Sequence, residues 1–200
     1  MIDTLLAQRD GLDVPGTLAR YGVERGAYAL LTLHRPSNVD TPESLGETLA
    51  ALRALHDAAR ASSLGAAFRM LFPIHPRTKN NLRAFDLESA AAGMVGLELL
   101  PPIPYPDFLA LMSAAGLVVT DSGGIQEETT VLGVPCLTMR ENTERPITID
   151  EGTNTLVGRD ADLLVWHGLD ALTGDRPTPA RPHLWDGHAA ERIVRVLFGG

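Results

Sequence analysis

The sequence predicts an α/β fold: a Rossmann-like, doubly wound, mainly parallel sheet flanked by helices. Three observations carry that expectation. Short apolar runs of strand length alternate with longer amphipathic stretches along the chain. The runs at 27–33 and 117–120 are apolar almost throughout, as in strands buried on both faces. The polar clusters fall directly after such runs, on the rim where doubly wound sheets bind ligands.

Taken in order, Ile2, Leu5 and Leu6 give Met1–Gln8 helical spacing with no capping residue ahead of it. Residues 10–26 are punctuated by Gly and Pro, with a weak helical patch over Thr17–Tyr21. Ala27–Leu33 is the first strand and ends in the polar loop His34-Arg35-Pro36-Ser37-Asn38. Pro42 opens a helix to about Ser62, with Leu45, Leu49, Leu52 and Leu55 on one face. Phe68–Ile74 is the second strand, ending at His75-Pro76-Arg77-Thr78, with a short helix over Lys79–Phe85. Leu97–Leu100 is the third, turning through the proline-rich corner 101–106 into a helix over Asp107–Ala115. The fourth, Leu117–Thr120, runs through Asp121-Ser122-Gly123-Gly124 into a helix. Pro135–Met139 is the fifth, followed by the polar loop 140–146. Asn154–Val157 is a sixth strand, and helices follow over Asp160–Ala171 and Gly187–Phe198.

A net charge of -8 argues against nucleic acid or an anionic membrane as partner. No run approaches the roughly 18 apolar residues of a membrane span, and the first residues lack signal-peptide character. The single cysteine, Cys136, excludes an internal disulfide, and its apolar neighbours suggest a packed thiol. These features together lead us to expect a cytoplasmic protein. No His/Cys/Asp set has metal spacing, so neither a metal nor another cofactor is expected. There is no Walker loop, no G-x-G-x-x-G after the first strand and no G-x-S-x-G elbow.

The stretch around Ser122-Gly123-Gly124 suits an anion. Free N–H groups and the positive helix end face outward, and glycine lets a ligand approach without meeting a Cβ. Glu128, about a turn and a half on, is an acceptor-only group suited to a vicinal diol such as ribose. A plain strand–turn–helix with an ordinary cap accounts for the same spacing. His34 suits contact with a leaving phosphate and Arg35 its neutralisation; a loop histidine capping a helix is the simpler alternative. His75 has the same two readings. Arg145 is either a phosphate clamp or a surface ion pair with Glu144, and Phe108 either core or a platform for a base. His56 reads as a solvated helix position.

As a set, several segments resemble the non-hydrolysing UDP-N-acetylglucosamine 2-epimerases. They are Thr120-Asp121-Ser122-Gly123-Gly124-Ile125-Gln126-Glu127-Glu128, Leu132-Gly133-Val134-Pro135-Cys136, Thr143-Glu144-Arg145-Pro146, Leu33-His34-Arg35, 73–78 and 152–158. That family has a GT-B architecture, two Rossmann-like domains with the nucleotide sugar in the cleft between them. The resemblance implies that residues 1–26 are an interdomain linker helix and lead-in. Residues 27–200 would then be the C-terminal, UDP-binding domain, with the N-terminal catalytic domain absent from this chain. By the same resemblance Phe108 lies against uracil and Ser122, Gly123 and Gly124 hold the diphosphate. Glu128 takes the ribose hydroxyls, Arg145 reaches the phosphates, and His34 is catalytic beside the β-phosphate and sugar. The implied ligands are UDP, UDP-GlcNAc and UDP-ManNAc, and the implied partner is the missing domain, with a homodimer left open. The chain departs from the family at Pro76-Arg77-Thr78, where many members carry Asn-Pro, so allosteric control by UDP-GlcNAc is not carried over. A GT-B glycosyltransferase and a non-catalytic nucleotide-sugar-binding module are the competing readings.

Overall fold

The computed structural model describes residues 1–199. Its elements are α1 (Ile2–Arg9), α2 (Val14–Tyr21), β1 (Tyr28–Thr32), α3 (Pro36–Val39), α4 (Pro42–Ala61), β2 (Arg69–Pro73), α5 (Pro76–Ala84), α6 (Glu88–Ala92) and β3 (Leu97–Leu100). They continue with α7 (Tyr105–Ala114), β4 (Leu117–Thr120), α8 (Gly123–Leu132), β5 (Cys136–Thr138), α9 (Ile147–Asp150), β6 (Asn154–Leu156), α10 (Ala161–Thr173) and α11 (Ala189–Phe198), with one 3₁₀ turn at Gly65–Ala67. The six strands form one sheet in the order β3-β2-β1-β4-β5-β6, every neighbouring pair parallel. This is the doubly wound architecture that the alternation predicts.

The chain winds from β1 outward to β3, then returns to lay β4 on the other side of β1, with Thr32 opposite Thr120. The crossovers reverse at β1 and β4, and the loops after these strands part there and leave a crevice. Apolar residues cover both sheet faces. One layer is built on Leu45, Leu52 and Leu55 of α4 with Leu164 of α10; the other holds Leu5, Leu109, Leu111 and Val131. Residues 1–26 belong to that second layer, since Leu5 is fully buried and Leu18 packs against it.

Several boundaries differ from the sequence expectation, each for a local reason. The patch at 17–21 is a full helix from Val14, because the Asp13 side chain accepts the Gly16 N–H and Gly22 closes the end at φ +61°. The helix expected from Lys79 starts at Pro76, where proline suits the first turn and the His75 side chain caps it. The helix expected from Asp107 starts at Tyr105, and the one expected from Gly187 starts at Ala189. His56 is buried, not solvated: its ring packs beside Phe68, and a Cβ on Gly96 would lie 2.5 Å from its Nε2.

Candidate functional site

The crevice is built at the head of α8. Ser122 is extended, with φ −94° and ψ 123°, and the helix begins at Gly123. Intrahelical bonding begins only with Gln126, whose N–H reaches Ser122 O at 3.4 Å. The amides of Gly123, Gly124 and Ile125 therefore precede it, and the helix dipole adds its positive end. Ser122 occupies the cap position but makes no side-chain cap bond. Its own N–H is taken by Thr120 Oγ1 at 3.0 Å.

A cavity of about 340 Å³ opens on this corner, lined among others by Thr32, Tyr105, Phe108, Ser122, Gly124 and Glu128. The fold thus brings Phe108, Ser122, Gly124 and Glu128 to one concave surface. Glu128 is buried, and its carboxylate accepts from Tyr105 Oη at 2.7 Å. Burial pushes the Glu128 carboxyl above its usual range, against the smaller opposing pull of the Tyr105 bond. Burial, then the bond to Glu128, raises the Tyr105 phenol as well, so it stays a donor. Phe108 is half-buried, packed on the apolar layer yet facing the cavity. The two glycines differ in surroundings. A Cβ on Gly124 would lie 2.6 Å from Met1 Cε, whereas one on Gly123 would meet Glu144 Oε2 at 3.8 Å and Arg145 Cγ at 3.9 Å.

The loop after β5 lies over the same helix end. Thr143 Oγ1 donates to Gln126 Oε1 at 2.5 Å, and Arg145 Nε pairs with Glu127 at 2.5 Å. Of the two readings of Arg145, the ion pair is present with a different partner. Glu144 is held instead by both terminal nitrogens of Arg140, at 2.8 and 2.9 Å. That bidentate bond pulls the Glu144 carboxyl down to about 2. A carboxylate thus lies over Gly123, at the amino end of α8, where the sequence places a phosphate.

The remaining residues form a second cluster across Asp121. Asp121 is fully buried; it accepts from the backbone N–H groups of His34 and Arg35 at 2.9 and 2.8 Å and from Asn38 Nδ2 at 3.1 Å. Burial opposes its ionisation, but contacts from the His34 ring, the Arg35 amide and Asn38 outweigh it and hold the carboxyl below its usual range. The His34 and His75 rings lie side by side, centroids 5.9 Å apart. His75 takes the cap reading, Nδ1 accepting the Arg77 N–H at 3.2 Å, while its ring stays exposed. The Arg35 Nε is buried and has no partner. Among the described residues no group of His, Cys, Asp and Glu is placed to hold a metal. No described helix is long and apolar enough to cross a membrane. Cys136 is buried, its thiol pushed up to about 11 by burial.

Sequence reasoning missed Tyr105, the place of Asp121 beneath the His34 loop, and Gln126 as the anchor of the loop after β5. Glu128 followed Tyr105 by a separation that only the packing of α7 on α8 makes meaningful.

A doubly wound parallel sheet with a helix amino end, a buried carboxylate and an aromatic side chain in one crevice has the layout in which open α/β sheets bind small ligands. Comparison with known proteins makes this specific. Residues 1–198 match the family profile described as UDP-N-acetylglucosamine 2-epimerase, and the chain belongs to that family. It is 38% identical over 176 residues to the UDP-N-acetylglucosamine 2-epimerase of Methanocaldococcus jannaschii, covering 86% of this chain and 45% of that protein. A UDP-2,3-diacetamido-2,3-dideoxy-D-glucuronate 2-epimerase of Pseudomonas aeruginosa is 33% identical over 170 residues, covering 85% and 44%. The solved structure of the M. jannaschii enzyme in complex with UDP-GlcNAc and UDP superposes with a TM-score of 0.79 at 33% identity, covering 100% of this chain and 53% of that one. The chain spans about half the length of the curated relatives it matches.

Proposed function

We propose that this chain is the UDP-holding half of a non-hydrolysing 2-epimerase that interconverts UDP-GlcNAc and UDP-ManNAc. The observation that carries the reading is the single crevice in which Glu128, Phe108 and the head of α8 converge. Uracil stacks on Phe108, worth ~1–3 kcal/mol. The ribose hydroxyls donate to Glu128; Tyr105 takes one acceptor position and fixes the orientation of the carboxylate. The diphosphate lies on the amides of Gly123 and Gly124, which requires it to displace the Glu144 carboxylate and lets Arg145 exchange Glu127 for a phosphate oxygen. His34, Arg35 and His75 then stand on the sugar side.

In the reaction the C2–H and C1–O(UDP) bonds break and a C1–C2 double bond forms, giving a 2-acetamidoglucal. UDP then re-adds with the opposite configuration at C2. This half of the protein stabilises the charge on departing UDP by fixed dipoles and cations, an electrostatic contribution. The carboxylates that move the C2 proton belong, in the family, to the other domain. The chain alone therefore binds UDP weakly and does not epimerise, and the active protein is a two-domain, cytoplasmic enzyme. Similarity to the diacetamido-glucuronate 2-epimerase supports 2-epimerisation of a UDP-linked 2-acetamido sugar as the shared chemistry. Calorimetry with UDP and with UDP-GlcNAc tests this. The expected result is weak binding of both, dominated by the UDP part and weakened by ~1.5–3 kcal/mol in Glu128→Ala. Equal binding by that variant, or turnover of UDP-GlcNAc by this chain alone, would overturn it.

A further inference from the structure

The Asp121 carboxylate is more than a brace for the loop after β1. Its Oδ2 accepts the His34 and Arg35 amides and Asn38 Nδ2, while its Oδ1 lies 3.1 Å from His34 Nδ1. The three donors on Oδ2 favour the ionised form in a fully buried position. A lone pair on Nδ1 would be repelled by the ionised carboxylate 3.1 Å away and a proton there attracted to it, which favours the Nδ1–H form of the ring. His34 Nε2 is then the ring atom left for a ligand, and the side chain is 40% exposed on the rim. His75 is set the opposite way. Its Nδ1 accepts a backbone N–H from Arg77, so the neutral ring carries its proton on Nε2.

We propose that Asp121 is a positioning residue that locks His34 in the Nδ1–H tautomer, so that the adjacent His34 and His75 rings offer a ligand an acceptor nitrogen and an N–H donor. The consequence is a division of labour. Neutral His75 is ready to donate to an anionic oxygen, such as that of a phosphate. Neutral His34 is ready to accept from a hydroxyl or amide N–H of the sugar, and it takes up a proton only at Nε2. The identity of the ligand rests on the nucleotide-sugar reading; the two tautomers do not.

The test is a long-range ¹H–¹⁵N spectrum of the imidazoles in the ligand-free chain at alkaline pH, where the rings are neutral. We expect His34 protonated at Nδ1 and His75 at Nε2. His34 protonated at Nε2 would overturn the proposal. In Asp121→Asn the amide oxygen must stay on the three donors, which turns its NH₂ toward His34 Nδ1, so the tautomer should invert. An unchanged Nδ1–H tautomer in a folded variant would also overturn it, since a purely structural Asp121 predicts no inversion. Should the variant fail to fold, the parent spectrum alone decides. Adding UDP to the parent separates the two claims. The expected tautomers with no response to UDP would refute the nucleotide reading and leave the dyad standing; UDP binding with His34 in the Nε2–H form would do the reverse.

Discussion

Asp121 and Glu128 flank the start of one helix, both are buried carboxylates, and they are built for opposite ends. Asp121 has its donors in place, two backbone amides and an asparagine, with the His34 ring 3.1 Å away. Glu128 has one, Tyr105, and otherwise faces a cavity. Their proton affinities move accordingly, Asp121 downward and Glu128 upward. A buried carboxylate whose partners are complete acts by holding its neighbours in place; one left short of partners keeps lone pairs free toward the cavity.

The largest expected effect is on stability. Asp121→Ala strands the amides of His34 and Arg35 and the side chain of Asn38, and should cost about 3–5 kcal/mol in denaturant unfolding. Glu128→Ala should do little harm to the fold but weaken UDP by ~1.5–3 kcal/mol in calorimetry, the scale of charge-assisted bonds to ribose. The two acids also predict opposite pH dependences. The stabilisation from Asp121 is present above its unfolded pKa and is lost as pH falls through its lowered folded value. Glu128, with its folded value raised, favours the fold while protonated, and that contribution is lost as pH rises through the folded value. Glu128→Gln should therefore raise the melting temperature of the ligand-free chain at neutral pH and leave the Asp121 acid limb in place. Phe108→Ala should cost UDP ~1–3 kcal/mol, with a smaller loss for a ligand lacking the base. Tyr105→Phe should have the smallest effect, about 0.5–1.5 kcal/mol in UDP affinity, because it frees Glu128 without removing it.

What was legible in the sequence follows from what is local. Strand runs, their polar ends and the Ser122-Gly123-Gly124 turn are all written in adjacent residues, and the sheet and its crevice follow from them. The start of α5 was expected three residues late, at Lys79, although an extended His75 before Pro76 is an ordinary helix opening. Contacts between distant elements were not legible. Asp121 meets His34 only because β4 pairs with β1, and Tyr105 meets Glu128 only because α7 packs beside α8. The ion-pair partner expected for Arg145 was its neighbour Glu144; Glu127 takes that place because the loop is laid on α8, a contact between distant residues. His56 failed for a related reason: its burial depends on the close approach of Gly96.

A larger cavity of about 700 Å³ lies beside the edge strand β3, lined by Ile74, Lys79, Leu82, Leu99 and Pro102 among others. The carboxylate in its lining, Glu88, is already paired with Arg83 at 2.8 Å, which leaves it less free for ribose than Glu128. Titrating UDP into the ¹⁵N-labelled chain and following the backbone amides compares the two cavities directly. A diphosphate seated on α8 gives saturable shifts at Gly123, Gly124 and Ile125, with Phe108 and Glu128 following the same curve; shifts confined to the β3 cavity, or none at the head of α8, exclude that seat.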